Sequence, residues 1–163
     1  MRRRRGNALI ESALWIPILV SLLVGMVQLA RVSFTYFTLH KVLYDTARLV
    51  GTSQVNFCAD DTAITTMKEF ALNGGTSSDT GPIIPNLTAD QIQVRIERID
   101  PDSGTLQECD CSSTGCDTAA GGQPPDYIVV SLPDGYPFTL SFPNLTFEPI
   151  PLRPQVRMPF GGS

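Results

Sequence analysis

Residues 12–30 read SALWIPILVSLLVGMVQLA, a run of nineteen residues without a charged side chain. A helix of this length extends about 28 Å, close to the thickness of the hydrocarbon core of a membrane. Pro17 lies near its start, where it removes one backbone hydrogen bond and favours a kink. The run therefore predicts a single membrane-spanning helix near the N-terminal end of the chain.

The charges around this run predict its orientation. Four arginines, Arg2 to Arg5, precede it, and such residues favour the cytoplasmic side of a membrane. Residues 1–50 carry seven Lys or Arg against two Asp or Glu, whereas residues 51–163 carry five against fourteen. We therefore expect a cytoplasmic N-terminus and an exported, acidic remainder. Nucleic acid is not an expected partner, because it requires a basic surface.

Three interpretations of the apolar run compete. A secretory signal peptide needs small residues at its cut site, and VQLARVS, with Gln28 two places before Ala30, fits that pattern poorly. A plain single-span anchor leaves Glu11 unexplained, since a carboxylate beside a membrane span is costly and is usually functional. The third interpretation places a cut before the run and keeps the span in the mature protein.

Helical periodicity continues beyond the span. Residues 31–50 contain neither Gly nor Pro, and apolar residues recur at steps of three and four: Val32, Tyr36, Leu39, Val42 or Leu43, Ala47 and Val50. This spacing predicts one apolar stripe on an otherwise polar helix, which Gly51 is expected to end. We expect a single helix from about Asn7 to Val50, about 65 Å long.

The exported residues predict a small α+β domain. DDTAITTMKEFALNGG indicates a short amphipathic helix with an N-terminal cap at Asp60 or Asp61 and a stop at Gly74, and its apolar face holds Ile64, Met67, Phe70 and Ala71. QIQVRIERID, DYIVVSL and, after a PDG turn, YPFTLSF are typical of strands. The proline-rich tail, FEPIPLRPQVRMPF, can form an edge strand at most, or an extended cover. A small antiparallel sheet packed against the long helix would bury these apolar faces.

The four cysteines, Cys58, Cys109, Cys111 and Cys116, suit two disulfides in an exported domain. Cys109 and Cys111 are too close in sequence to pair comfortably. We therefore expect Cys116 to pair with one of them and Cys58 with the other. A metal site is the weaker alternative, because zinc sites prefer wider spacing than the C-x-C of this loop.

The sequence contains no constellation typical of an enzyme. It has a single His and no nucleophile elbow, phosphate-binding loop or calcium-binding loop. We therefore expect no catalytic residues, no cofactor and no bound metal.

Four N-terminal features occur together. A short basic leader ends at Gly6 (MRRRRG), Glu11 is the fifth residue beyond that glycine (NALIE), the apolar run follows at once with its early proline, and the helix ends YDTARLVGTS. In these features, which lie in residues 1–53, the chain resembles the TadE-like minor pilins, or pseudopilins, of the tight-adherence (Tad/Flp) type IV pilus system. Related chains often place an aromatic residue after the glutamate, where this chain has Ser12. That departure favours a minor component over a major Flp pilin.

The resemblance implies how the chain is divided into segments and how it is processed. Residues 1–6 would be a leader, residues 7–53 a long helix with its span at about 12–30, and residues 54–163 an exported α+β domain in a pilin-like fold. A prepilin peptidase would cut between Gly6 and Asn7 and remove four arginines, leaving a net charge of about −8 from the original −4.

The resemblance also implies a location and partners. The mature protein would be a single-pass protein of the bacterial inner membrane, with its C-terminal domain periplasmic or extracellular, or a part of the pilus itself. Its partners would be the peptidase, membrane lipid, other pilins and the tight-adherence assembly proteins.

Glu11 lies one helical turn after Asn7, on the same face. A carboxylate in a low-dielectric helix bundle requires a partner, and the resemblance supplies the amine that cleavage frees at Asn7, in the same or a neighbouring subunit. The simpler alternative is a solvated Glu11 at the level of the lipid headgroups. The alternative for the whole protein is a stand-alone, membrane-anchored binding domain whose sheet or cysteine-rich loop recognises a surface or ligand.

Overall fold

The computed structural model of the chain describes residues 4–53, 56–75, 81–142 and 145–161. A long helix, α1 (Arg4–Thr52), is followed by a short helix, α2 (Asp61–Leu72). Strands make up most of the regular structure after α2, so the fold is the α+β arrangement that the sequence predicts. Two single-turn 3₁₀ helices, Ala89–Gln91 and Thr118–Ala120, lie in the connections.

The strands form one main sheet and two small ribbons. In chain order, the strands among the described residues are β1 (Gln93–Ile99), β2 (Leu106–Glu108), β3 (Tyr127–Ser131), β4 (Tyr136–Phe138), β5 (Ser141–Phe142), β6 (Leu145–Thr146), β7 (Ile150–Leu152) and β8 (Gln155–Pro159). The main sheet has the order β2-β1-β3-β8, and all of its pairs are antiparallel. β4 pairs with β7, and β5 pairs with β6.

The main sheet and α2 pack against the C-terminal half of α1. Of the predicted stripe, Leu39, Val42, Leu43, Ala47 and Val50 are buried, as expected. Tyr36 is 41% exposed, so its assignment to the stripe was wrong. Thr46 is buried although the stripe did not include it, and its hydroxyl donates to the Val42 carbonyl at 2.8 Å. This bond within the helix satisfies the hydroxyl and makes its burial tolerable.

The C-terminal end of α1 differs from the prediction. The helix continues through Gly51 to Thr52, so Gly51 does not end it by a left-handed turn. Gly51 is buried, and a Cβ atom there would lie 3.5 Å from Cδ1 of Ile128. Its carbonyl accepts a hydrogen bond from the N–H of Gly161 at 3.2 Å. A contact of that length is an ordinary one, so β3 and the C-terminal segment pack on this end of α1 without requiring a glycine there.

The predicted short helix is present, with a different buried face. Ile64 and Ala71 are buried as expected, whereas Phe70 is 46% exposed and Leu72, which the prediction left out, is buried. Asp60 is the N-terminal cap residue, but its side chain makes no capping hydrogen bond. Gly74 follows the helix with a φ of 70° and donates its N–H to Ala71. A glycine suits this left-handed position because it has no Cβ.

The proline-rich tail supplies β8 at the edge of the main sheet, which confirms the expected edge strand. Proline is acceptable at an edge because the ladder does not continue beyond it. β2 was not predicted. All of its residues are exposed, so its sequence lacks the alternation by which a half-buried strand is recognised.

Ile128 and Ile99 offer a matched test of this core. Ile128 is fully buried in β3, whereas Ile99, at the end of β1, is 44% exposed. We expect Ile128→Ala to lower the free energy of unfolding by about 3 kcal/mol because it leaves a cavity between the sheet and α1. Ile99→Ala should cost well under half as much. Urea unfolding in detergent micelles, followed by circular dichroism, would measure both, and equal losses would contradict this packing.

Candidate assembly surface

The N-terminal half of α1 extends away from the rest of the chain. Large apolar side chains around its whole circumference are at least half exposed: Leu14, Trp15, Ile16, Ile18, Leu19, Val20, Leu22, Leu23, Met26, Val27 and Leu29. Exposure of an apolar surface of this extent to water is unfavourable. Such a surface is typical of a membrane or protein interface. Within the described residues, one helix is long and apolar enough to cross a membrane, and the 18-residue window of that helix that meets this criterion has a mean hydropathy of 2.2.

The residues expected at the processing and pairing site lie at the start of this surface. The sequence predicted that the helix begins at Asn7, but α1 begins at Arg4 and includes Gly6. Arginine favours helix, so residues 4–5 extend it before Asn7. Gly6 weakens a helix by about 1 kcal/mol relative to alanine.

Glu11 is exposed, one turn after Asn7. Helical spacing puts the two residues on the same face, about 6 Å apart along the axis. The carboxylate therefore has room to accept a partner from outside the chain. A group on a neighbouring helix could reach it without disturbing α1.

Gln28 is the exception in the apolar run. It is 7% exposed, and its Nε2 donates to the carbonyl of Ser141 in β5. β5 thus lies against α1 within the segment that the sequence assigns to lipid. Sequence analysis did not foresee this contact. A lone amide in an apolar run was the available signal, because polar groups in membrane helices usually contact other protein groups.

Two disulfides cross-link the part of the chain that follows α1. Cys58 pairs with Cys111 and Cys109 with Cys116, with Cα–Cα distances of 5.4 and 5.7 Å. This chooses one of the two pairings that the sequence left open. No described cysteine is free, and no group of three metal-ligating side chains occurs among the described residues. The Cys58–Cys111 bridge joins the connection between α1 and α2 to the loop after β2, and Cys109–Cys116 closes a turn within that loop.

Hydrogen bonds around this loop are also structural. Asn56 donates to the Asp117 carboxylate at 3.3 Å, and Arg98 donates to the Gly115 carbonyl at 3.1 Å.

In the β1–β2 turn, the carboxylate of Asp100 accepts the N–H of Asp102 at 2.9 Å. This bond holds the pKa of Asp100 below its usual range. Burial lowers the pKa of Lys68, and the neighbouring Asp90 and Asp61 oppose that shift.

Comparison with known proteins identifies the long helix. Residues 6–48, about a quarter of the chain, match the family described as TadE-like protein. No curated protein and no solved structure matches the chain. The match starts at Gly6 and stays within α1, so it covers the exposed apolar surface and most of the buried stripe. The long N-terminal helix of this chain is thus similar to that of TadE-like proteins.

Proposed function

We propose that this chain is a minor pilin that supports biogenesis of a tight-adherence pilus or a secretion pseudopilus. A prepilin peptidase cuts it between Gly6 and Asn7, and α1 then holds it in the inner membrane until it joins its partners. One observation carries this proposal: residues 11–27 of α1 expose apolar side chains on all sides, while only the apolar stripe within residues 39–50 is packed against the rest of the chain. Lipid covers the exposed part before assembly, and neighbouring pilin helices cover it afterwards.

The remaining features fit a structural role in an exported setting. The arginines before the span favour a cytoplasmic N-terminus. Two disulfides stabilise a small domain in an oxidising compartment such as the periplasm. The proposed role involves no catalytic step by this chain, in keeping with the structural character of the TadE-like family.

Glu11 is the proposed assembly residue. Cleavage would leave a free, positively charged amine at Asn7, at the cytoplasmic end of the span. When a subunit enters a helix bundle, its Glu11 loses contact with water and needs a cation. The amine of the same or a neighbouring subunit provides one, and a pair made only on docking would set the axial register of the helices.

N-terminal sequencing of the mature protein tests the processing step. We expect the first residue to be Asn7, because the peptidase removes the leader and leaves the span. A Gly6→Val variant should keep Met1, since a β-branched side chain replaces the glycine at the cut. Mature wild-type protein that starts at Met1 would contradict the proposal. It would favour the alternative function, a stand-alone membrane-anchored binding domain.

A further inference from the structure

An open groove lies between α1 and the segment that joins β4 to β5. Its volume is about 460 Å³. The helix and the strand segment contribute apolar side chains to it, with one cation and polar groups beside them: Val27, Ala30, Phe34 and Phe138, with Arg31 and Thr139. Phe34 is 75% exposed, so the groove is open toward the outside of the helix.

The contact between Gln28 and Ser141 places this groove along the axis of the span. Gln28 is seventeen residues after Glu11, which corresponds to about 26 Å of helix. The hydrocarbon core of a bilayer is about 30 Å thick. With Glu11 at the cytoplasmic boundary, Gln28 lies just inside the outer boundary of the hydrocarbon. Arg31 and Phe34 then lie at the level of the outer headgroups.

The lining of the groove matches a phospholipid at that level. Val27, in the apolar wall, belongs to the exposed face of the span, so the groove continues the surface that contacts acyl chains. Arg31 is exposed and lies where a phosphate would be. An arginine at a membrane boundary interacts favourably with phosphate while its stem stays in the apolar layer.

We propose that β5 is seated in the outer interface of the membrane, and that the groove beside it holds a phospholipid of the outer leaflet. The upper acyl chain contacts Val27 and Phe138, the phosphate contacts Arg31, and Phe34, one turn further out, lies among the headgroups. This proposal rests on the proposed function, because it needs α1 to span the membrane. Its consequence is that the exported domain has a defined height above the bilayer before it meets a partner.

Tryptophan quenching by brominated lipid tests the proposal, because Trp15 is the single tryptophan of the chain. The full-length protein would be reconstituted, at low protein density, in phosphatidylcholine vesicles whose acyl chains carry bromine near the headgroup. In a Trp15→Phe background, Phe138→Trp places the reporter in the groove. Thr139→Trp, at an exposed position that also lines the groove, is a second reporter that does not disturb an apolar contact.

Ile99→Trp, in the same background, is the matched control. Asp126 links Ile99 to the end of the sheet beside Gly51, since it accepts the N–H groups of Ile99 and Phe160, at 2.8 and 2.9 Å. Gly51 is about 35 Å further along α1 than Gln28. The reporter at position 99 therefore lies far above the membrane and should not be quenched.

We expect brominated lipid to reduce the emission of both groove reporters and of wild-type Trp15, and to leave the control unchanged. If Trp15 is quenched and neither groove reporter is, β5 does not meet lipid, and the inference is overturned while the membrane span stands. Protection of the groove by a second copy of the chain would give that same result. If Trp15 is not quenched either, the span itself is wrong and the proposed function fails with it.

Discussion

The Glu11→Ala variant is expected to insert into the membrane and to be cut normally, yet to be nearly absent from the assembled filament. Removing one partner of a buried ion pair costs about 3–5 kcal/mol, which corresponds to a loss of incorporation of about a hundredfold or more. Glu11→Gln should fail in the same way, because it keeps the size of the side chain and loses the charge. Immunoblots of membrane fractions and of sheared filaments would measure insertion, cleavage and incorporation.

Ser21→Ala is the matched control for this experiment. Ser21 is an exposed polar residue of the same span, and its hydroxyl donates only to its own helix in the structure, to the Ile18 carbonyl at 2.8 Å. Its removal should leave incorporation unchanged. Gly6→Val, which keeps the leader and blocks the amine of Asn7, should reproduce the Glu11→Ala defect. Normal incorporation of Glu11→Ala would show that Glu11 is merely solvated at the headgroup level.

Loss of the Cys58–Cys111 disulfide is expected to have the largest effect on stability. This bridge closes a loop with a sequence separation of 53, whereas Cys109–Cys116 closes one of 7. In the chain-entropy description, a cross-link over the longer loop contributes about 4 kcal/mol and one over the shorter loop about 2 kcal/mol. The double variant Cys58→Ser/Cys111→Ser should therefore be the less stable of the two paired replacements.

Urea unfolding of the two double variants, each retaining the other bridge, would compare them directly. Replacing both partners of a bridge avoids a free thiol that could form a wrong disulfide. Mass spectrometry of peptides from the oxidised wild-type protein would establish the pairing independently. A larger loss for Cys109→Ser/Cys116→Ser, or a Cys58–Cys109 peptide, would contradict the cross-link between the α1–α2 connection and the cysteine loop.

The parts of this fold that could be predicted are those with a local signal. The span, its continuation as an amphipathic helix, β1, β3 and the edge position of the tail all follow from hydropathy, periodicity or proline content over short windows. The stripe from Leu39 to Val50 was predicted because its apolar residues recur at the spacing of one helix face. The prediction was wrong at Tyr36 and Phe70, where the partner surface ends and a large apolar side chain remains exposed. A short stretch of sequence does not show where the surface that packs against a helix stops.

The candidate assembly surface also has a part that the sequence predicts and a part that only the structure shows. Gly6, Asn7 and Glu11 are close in sequence, so helical spacing alone relates them. The Gln28–Ser141 contact joins residues more than a hundred positions apart. Its existence depends on the path of β4 and β5 around α1.

The sequence by itself determined that this chain carries a long apolar helix preceded by four arginines and by a carboxylate, Glu11. Length, charge and hydropathy are properties of consecutive residues, so they can be determined without knowing which distant residues are in contact. Only the tertiary structure decided which cysteines pair, that Gly51 lies inside α1 rather than ending it, and that β5 contacts Gln28. Those outcomes depend on which distant segments reach the same place, and that is settled by how the sheet packs against the helix.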